Sequence, residues 1–315
     1  MSLPSADTPL KIGTRGSPLA LAQAYETRQR LMAAHDLPEA AFEICVIKTT
    51  GDKVLDRPLK EIGGKGLFTK EIEEDLLSGQ IDIAVHSMKD MPTVQPKGLT
   101  LDCYLPREDV RDAFVSLDSQ TLATLPKGAK VGSSSLRRRA QLLNYRADLE
   151  VVEFRGNVQT RLKKLEEGVA VCTFLAMAGL NRLALDEVPK SPVATEDMLP
   201  AVAQGAIGIE RREGDEVVAG LLTAIHDGPT GQRLTAERAF LKTLDGSCET
   251  PIAGLAELEG DTLRLRGEIL RPDGSERIAD ELTGAIGDGA ALGETLAQTL
   301  LSRAAADFFA WRALA

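Results

Sequence analysis

The side chains best suited to chemistry fall into three groups. Cys248 stands in Asp245-Gly246-Ser247-Cys248-Glu249-Thr250-Pro251. Glycine, serine, carboxylates and proline mark a surface loop, so this thiol is open to a small molecule. Asp90, in His86-Ser87-Met88-Lys89-Asp90-Met91-Pro92, follows a buried apolar run and has Lys89 beside it. A carboxylate so placed can stabilise a developing cation or pass a proton. The third group is cationic: Arg15, Lys89, Arg137, Arg138, Arg155, Arg161 and Arg182, with the hydroxyls of Ser17 and Ser133 to Ser135 among them. Between Lys127 and Lys164 there are ten basic and three acidic residues, inside a chain of net charge −10. That contrast points to a confined anionic ligand. Several guanidiniums suit several carboxylates better than one phosphate, because each can hold a carboxylate with two parallel hydrogen bonds. Serine turns at helix N-termini add backbone N–H donors and the positive end of the helix dipole.

Blander readings apply to some of these residues. Taken alone, Arg137-Arg138-Arg139 reads as a solvated helix face, with Arg139 pointing away from its neighbours. His86, a lone histidine at a strand end, reads as structural and bonded to nearby backbone. Gly63-Gly64-Lys65-Gly66 lacks the Gly-Lys-Ser/Thr ending of a phosphate-binding P-loop. The other cysteines, Cys45, Cys103 and Cys172, lie in β-forming apolar runs and read as small packing hydrophobes.

The elements that must position these groups alternate through the first two thirds of the chain. Short β runs and amphipathic helices follow one another, a rhythm that predicts parallel sheets with helices on both faces. Strands are expected at Leu10 to Thr14, Phe42 to Lys48, Ile81 to Val85, Lys130 to Gly132, Val151 to Phe154 and Val169 to Leu175. Ser17 with Pro18, and Asn157, open helices, since a hydroxyl or amide oxygen there can accept an orphan backbone N–H, and a helix starting at Leu136 follows the turn Ser133 to Ser135. Leu21, Ala24, Tyr25, Leu31 and Met32 should face inward on the first helix. The chemical side chains then sit at the carboxyl ends of strands, where open α/β sheets bind ligands. Beyond about Gly228 the texture changes to a helix (Leu234 to Thr243), three alternating strands turning at Glu259-Gly260-Asp261 and Pro272-Asp273-Gly274, and a last helix from Gly293 to Phe309. This is a small α+β domain with an antiparallel sheet.

Bulk properties narrow the class. The chain of 315 residues has room for two or three cores, and 43% hydrophobic with 27% charged residues is ordinary for a globular protein. Its acidity and its 4% aromatic content oppose nucleic-acid binding. Four cysteines without a C-x-x-C pair and three histidines give no metal site. The N-terminal residues have neither a basic nor an apolar signal region, and no apolar run is long enough for a membrane span, so a cytoplasmic protein is expected. With no amphipathic seam or large apolar patch in the sequence, a monomer is expected as well.

Seven segments in order carry a resemblance: Ile12-Gly13-Thr14-Arg15-Gly16-Ser17-Pro18-Leu19-Ala20, Gly63-Gly64-Lys65-Gly66-Leu67-Phe68, Ala84 to Pro92, Val131 to Arg138, Arg155-Gly156-Asn157-Val158-Gln159-Thr160-Arg161, Leu199 to Ala206 and the Cys248 loop. Together they resemble the porphobilinogen deaminase (hydroxymethylbilane synthase) family across nearly the whole chain. The resemblance implies an α/β fold: two doubly wound periplasmic-binding-protein-like domains around a cleft, then a small α+β C-terminal domain. The expected boundaries are 1–105 with 205–222, 111–199, and 228–315.

It also implies a transferase of tetrapyrrole (haem) biosynthesis. Four porphobilinogen molecules are joined head to tail onto a dipyrromethane cofactor held by Cys248 through a thioether. Ammonia leaves at each step, and hydrolysis frees linear hydroxymethylbilane. Asp90 becomes the catalytic carboxylate. Lys89, Ser133, Ser134, Ser135, Arg137, Arg138 and Arg182 become cofactor-binding, and Arg15, Ser17, Arg155 and Arg161 substrate-binding. The loop from Gly51 to Lys60 corresponds to a mobile cover. By family analogy the product passes to uroporphyrinogen III synthase. Ala203 stands where glycine is usual, so its turn should not require positive φ; Ser247 stands where many members have glycine. The alternative reading is a periplasmic-type solute-binding protein for a polycarboxylate ligand, which would need an export signal and no loop thiol.

Overall fold

A computed structural model describes residues 3–53, 69–118, 121–246 and 250–311. They form two compact units, residues 1–108 with 205–231 and residues 109–204 with 232–315.

The first unit is built on a five-stranded sheet in the order β2-β1-β3-β10-β4. Its strands are β1 (Leu10–Arg15), β2 (Phe42–Ile47), β3 (Ile83–Ser87), β4 (Leu99–Tyr104) and β10 (Ile207–Arg212). β1 runs parallel to β2 and β3, whereas β10 is antiparallel to β3 and β4. The sheet is therefore mixed and not purely parallel. Alternation along the strands assigns side chains to its two faces. Ile12, Ile83, Val85, Ile207 and Ile209 pack with Ala24 and Leu31 of the helix Pro18–His35 and with Leu221 of Glu216–Thr223. Ala84 lies in a separate cluster with Ile72 and Leu76 of the helix Lys70–Leu77. Ala24 and Leu31 are two turns apart on one stripe, but Tyr25 falls off it. Contrary to expectation Tyr25 stays 42% exposed, with the Arg28 guanidinium 5.1 Å from its ring centre.

The second unit holds a sheet of the same pattern, β7-β6-β8-β5-β9. Here β5 is Asp112–Val115, β6 Lys130–Gly132, β7 Glu150–Val152, β8 Cys172–Ala176 and β9 Lys190–Pro192. β6 is parallel to β7 and β8, and β5 is the antiparallel member. Ala113 and Val115 face one apolar cluster with Phe154 and Leu180, while Phe114 faces the other with Val131, Leu142 and Phe174. The unit also contains an antiparallel sheet of β11 (Ile252–Glu259), β12 (Thr262–Leu270) and β13 (Arg277–Ala285). The helix Gly289–Arg303 packs on this sheet, with Leu296 against Gly267 of β12. The helix preceding the cysteine loop begins at Gly228, six residues earlier than expected, and ends at Thr243 as read.

Ala203 reverses its expectation. Its φ is 61°, in the left-handed region that favours glycine. The conformation is held by neighbours: the Ala203 N–H donates to the Glu237 carboxylate at 2.6 Å, and Gln204 N–H to the Ala201 carbonyl at 3.0 Å. These bonds outweigh the Cβ penalty, so the turn keeps its geometry without glycine.

At the end of β6, by contrast, glycine is required. A Cβ on Gly132 would lie 2.5–2.8 Å from three ring carbons of Phe154, a fully buried side chain. Gly132→Ala should therefore lower the stability of the second unit by about 1–3 kcal/mol through overpacking, read as a lower urea midpoint at unchanged slope.

Candidate functional site

In the first unit, β1 and β3 are neighbours in parallel register (Ile12 with Ile83, Gly13 with Ala84). Their carboxyl ends therefore deliver side chains to the same end of the sheet. Arg15 is the last residue of β1. Ser17 caps the following helix, its Oγ accepting the Ala20 N–H at 3.2 Å. β3 ends at Ser87 and passes into a 3-10 turn, Met88–Asp90. That turn is pinned twice: Met88 is buried, and its N–H donates to the Ala206 carbonyl at 3.0 Å. Ser87 is tied to Gln23 of the first helix by side-chain bonds of 2.8 and 3.0 Å. Lys89 and Asp90 leave this rigid corner half-buried. Among the described residues no hydrogen bond or ion pair engages the Asp90 carboxylate, so its oxygens keep their acceptor capacity.

His86 has a side-chain partner in place of the expected backbone one. Its Nε2 meets Glu210 Oε2 of β10 at 3.1 Å, with both side chains buried. Glu73 lies near the pair. Burial pushes its carboxyl up, with a further upward push from Glu210, while Thr69 and His86 oppose the shift.

In the second unit the serines form the turn that joins β6 to the helix Leu136–Tyr145. Ser133 Oγ accepts the Ser135 N–H at 3.3 Å, Ser134 Oγ the Phe154 N–H at 2.9 Å, and Ser135 Oγ the Arg138 N–H at 3.4 Å. In each case the oxygen is used and the O–H is left to donate. Asn157 caps Val158–Glu166 by accepting the Thr160 N–H at 2.9 Å. Arg155 follows β7, Arg161 lies in the first turn of that capped helix with its Nε on the Gly156 carbonyl at 2.9 Å, and Arg182 closes the short helix Met177–Arg182 after β8. β7, β6 and β8 are parallel neighbours, so all three exits share one end of the second sheet.

Arg137 and Arg138 are not a solvated face. They are 4% and 5% exposed, and both reach Asp112 at the start of β5. Arg138 donates to Asp112 Oδ1 from Nε (3.1 Å) and Nη2 (2.7 Å), and to the Phe174 carbonyl from Nη1 (2.7 Å). Arg137 Nη1 lies 2.8 Å from Asp112 Oδ2 and donates to Gln141 Oε1 and the Leu199 carbonyl, each at 2.9 Å. Gln204 adds a further bond to Asp112 Oδ1 at 3.0 Å. Burial acts to raise the Asp112 pKa, but the two guanidiniums and their hydrogen bonds prevail and hold its carboxyl well below the usual carboxylate range. Arg139, as expected, is exposed.

Asp112, Gln141 and Gln204 were missed in the sequence. The available signal was a carboxylate at the head of the apolar strand Asp112-Ala113-Phe114-Val115, which cannot be buried without a cation.

Cys248, Ser247 and the Gly63 to Gly66 run lie outside the described residues, as does most of the Gly51 to Lys60 loop, whose first residues belong to a short helix, Thr50–Lys53. The other three thiols behave as packing groups. Cys103 and Cys172 are buried, and burial pushes both up to about 12; burial raises Cys45 as well.

Residues 10–220 match a family model described as "Porphobilinogen deaminase, dipyromethane cofactor binding domain", and residues 232–302 match "Porphobilinogen deaminase, C-terminal domain". The porphobilinogen deaminase of Paracoccus denitrificans is 69% identical over 309 residues, covering 98% of this chain and 99% of the relative. The chloroplastic porphobilinogen deaminase of Pisum sativum is 53% identical over 306 residues, 95% of this chain and 83% of the relative. Among solved structures, a TRAP periplasmic solute binding protein from Desulfovibrio salexigens overlaps 69% of this chain and 70% of its own length, at 12% identity and a TM-score of 0.41.

The Asp112 pair carries a pH signature. Its carboxyl is depressed in the folded state, so its contribution is complete above the unfolded pKa near 3.8 and is lost as pH falls below it. Asp112→Ala should cost about 3–5 kcal/mol at pH 7, because two buried guanidiniums lose their counter-charge. The difference from wild type should shrink as pH approaches 3, as followed by urea unfolding at several pH values.

Proposed function

The chain belongs to the porphobilinogen deaminase family, and on that premise we propose how its own residues serve the reaction. The substrate is porphobilinogen, whose pyrrole carries an acetate and a propionate. The reaction joins four such units head to tail with loss of ammonia, and so classes the enzyme as a transferase. The observation that carries the reading is Asp90: an unengaged carboxylate on a doubly pinned turn, with Lys89 adjacent in sequence and Arg15 at the end of the neighbouring parallel strand.

The donor set of the second unit fits a polycarboxylate such as dipyrromethane. Three serine O–H groups are free to donate, and Arg155, Arg161 and Arg182 leave the same end of one sheet. When bound, dipyrromethane supplies a nucleophilic pyrrole carbon as the starting point for chain growth. Ser133, Ser134, Ser135 and Arg182 would hold its carboxylates, with Lys89 assigned to the same group. Arg137 and Arg138 contribute through their net charge, since two guanidiniums oppose one carboxylate at Asp112, and through the serine turn whose helix they begin. Arg15, Ser17, Arg155 and Arg161 are assigned to incoming substrate. Cys248 is the proposed anchor. Its loop follows the helix ending at Thr243 and precedes β11, and the buried thiols of Cys103 and Cys172 are poor nucleophiles by comparison.

Asp90 is acceptor-only when ionised. It can take up pyrrole N–H groups and so fix the ring plane. Its negative charge lowers the cost of positive charge on the ring as the amine departs, and a fixed carboxylate does this without reorganising at the moment of reaction. The rigid corner from β3 supplies that fixity.

The proposal extends to a three-domain division, to a cytoplasmic monomer and to hand-over of product to uroporphyrinogen III synthase. No helix among the described residues is long and apolar enough to cross a membrane.

Two measurements test the reading together. The intact mass of the purified chain should exceed the sequence mass by two deaminated porphobilinogen units, and Cys248→Ser should lack the increment. Asp90→Asn should keep the increment but lose about 10²–10³ in kcat. An unmodified wild-type chain with full activity, or an Asp90→Asn variant of normal turnover, would overturn the assignment.

A further inference from the structure

The helix Leu136–Tyr145 presents one face to the antiparallel sheet of its own unit. Residues 137, 141 and 144 fall at i, i+4 and i+7, a single stripe. Near the end of that stripe, Asn144 Nδ2 donates to the Gly274 carbonyl at 2.9 Å, in the β12–β13 turn. Gly274 has φ +75°, and a Cβ there would lie 2.5 Å from the Asn144 backbone nitrogen, so this approach is close and rigid. In the middle, Gln141 Nε2 donates to Glu268 Oε1 of β12 at 2.5 Å and to the Leu199 carbonyl at 2.9 Å. At the start, Gln141 Oε1 accepts from Arg137 Nη1 at 2.9 Å.

The chemistry of an amide makes this arrangement directional. Gln141 has one donor nitrogen and one acceptor oxygen. Glu268 and Leu199 offer only acceptors, so the nitrogen must point to them and the oxygen must point to Arg137. Glu268 is 1% exposed, and its second oxygen is held by Arg277 Nε at 2.6 Å, so it cannot turn away. Without Glu268 the Gln141 amide would lose the partner that helps fix its orientation. The reversed amide would aim an N–H at a guanidinium that is already a donor.

We propose that Glu268, acting through Gln141, is a positioning residue for Arg137 alongside Asp112 and the Leu199 carbonyl, so that the antiparallel sheet contributes to the orientation of a cation at the serine turn. The inference rests on the reading of Arg137 as part of the cofactor-binding end. It adds to that reading a residue some 130 positions away in sequence that touches neither substrate nor cofactor.

The test measures loading, not turnover. Chains prepared without the adduct are incubated with porphobilinogen, and the gain of mass is followed by intact-mass spectrometry, with thermal unfolding recorded for each variant. Glu268→Leu should slow loading about ten-fold, as loss of a buried charge-assisted hydrogen bond predicts. Glu268→Gln, which keeps an acceptor for Gln141, should restore loading to within about two-fold of wild type. Gln141→Met serves as a second variant should Glu268→Leu not fold, and it should be slowed to a similar degree. Arg137→Lys is the control for the underlying reading. If it loads at the wild-type rate, the role of Arg137 falls and the proposal with it. If Arg137→Lys is slow while a folded Glu268→Leu or Gln141→Met loads normally, the role of Arg137 stands and the proposal is overturned. Equal slowing in Glu268→Gln and Glu268→Leu, tracking only a drop in unfolding temperature, would also overturn it by reducing Glu268 to a stability role.

Discussion

One buried carboxylate organises the cationic end of the second unit. Asp112 receives Arg137, Arg138 and Gln204, and without it two guanidiniums would lie desolvated against each other. The arrangement is costly to assemble and more costly to break, the usual condition of a buried ion group. It ties together four separate stretches of chain. Asp112 opens β5, the arginines open the helix after β6, Phe174 belongs to β8, and Leu199 and Gln204 precede the return to the first unit. The serine turn inherits its stability from this knot, because Ser135 caps the same helix that carries both arginines.

The two five-stranded sheets solve one problem in the same way. Each has four strands running one way, whose carboxyl ends release loops in one direction, and each inserts one antiparallel strand between three of them and the fourth at an edge. In the first sheet the loops bring Arg15, Ser17, Lys89 and Asp90 to one end. In the second they bring the serines, Arg155, Arg161 and Arg182. The carboxyl end is a natural place for anion recognition because helix N-termini begin there, with unpaired N–H groups pointing outward.

Features governed by near neighbours were readable from the sequence. Ser17 and Asn157 cap the helices they were expected to cap, and the turns at Gly260 and Gly274 fall where glycine and aspartate placed them. Lys130 to Gly132 was bounded correctly as a strand. What escaped depends on partners distant in sequence. β5 and β10 are short strands with no local mark of direction, and their antiparallel placement follows from chain routing. Arg137 and Arg138 looked solvated because the residue that buries them lies 26 positions from Arg138. Ala203 misled for a related reason: its positive φ is imposed by Glu237, 34 residues further on, and not by its own side chain.

The routing of β10 constrains how the protein can be born. This strand, Ile207–Arg212, lies between β3 and β4, which do not pair with each other. A nascent chain emerging from the ribosome can therefore align β1, β2 and β3 early, but β4 has no hydrogen-bonding neighbour until more than a hundred further residues have been synthesised. During that interval the β3 edge and the apolar side chains of β4 are uncovered, the condition in which strand edges invite wrong partners. Closure of the N-terminal sheet is thus among the later events in the life of the chain, and it waits on translation well past the midpoint.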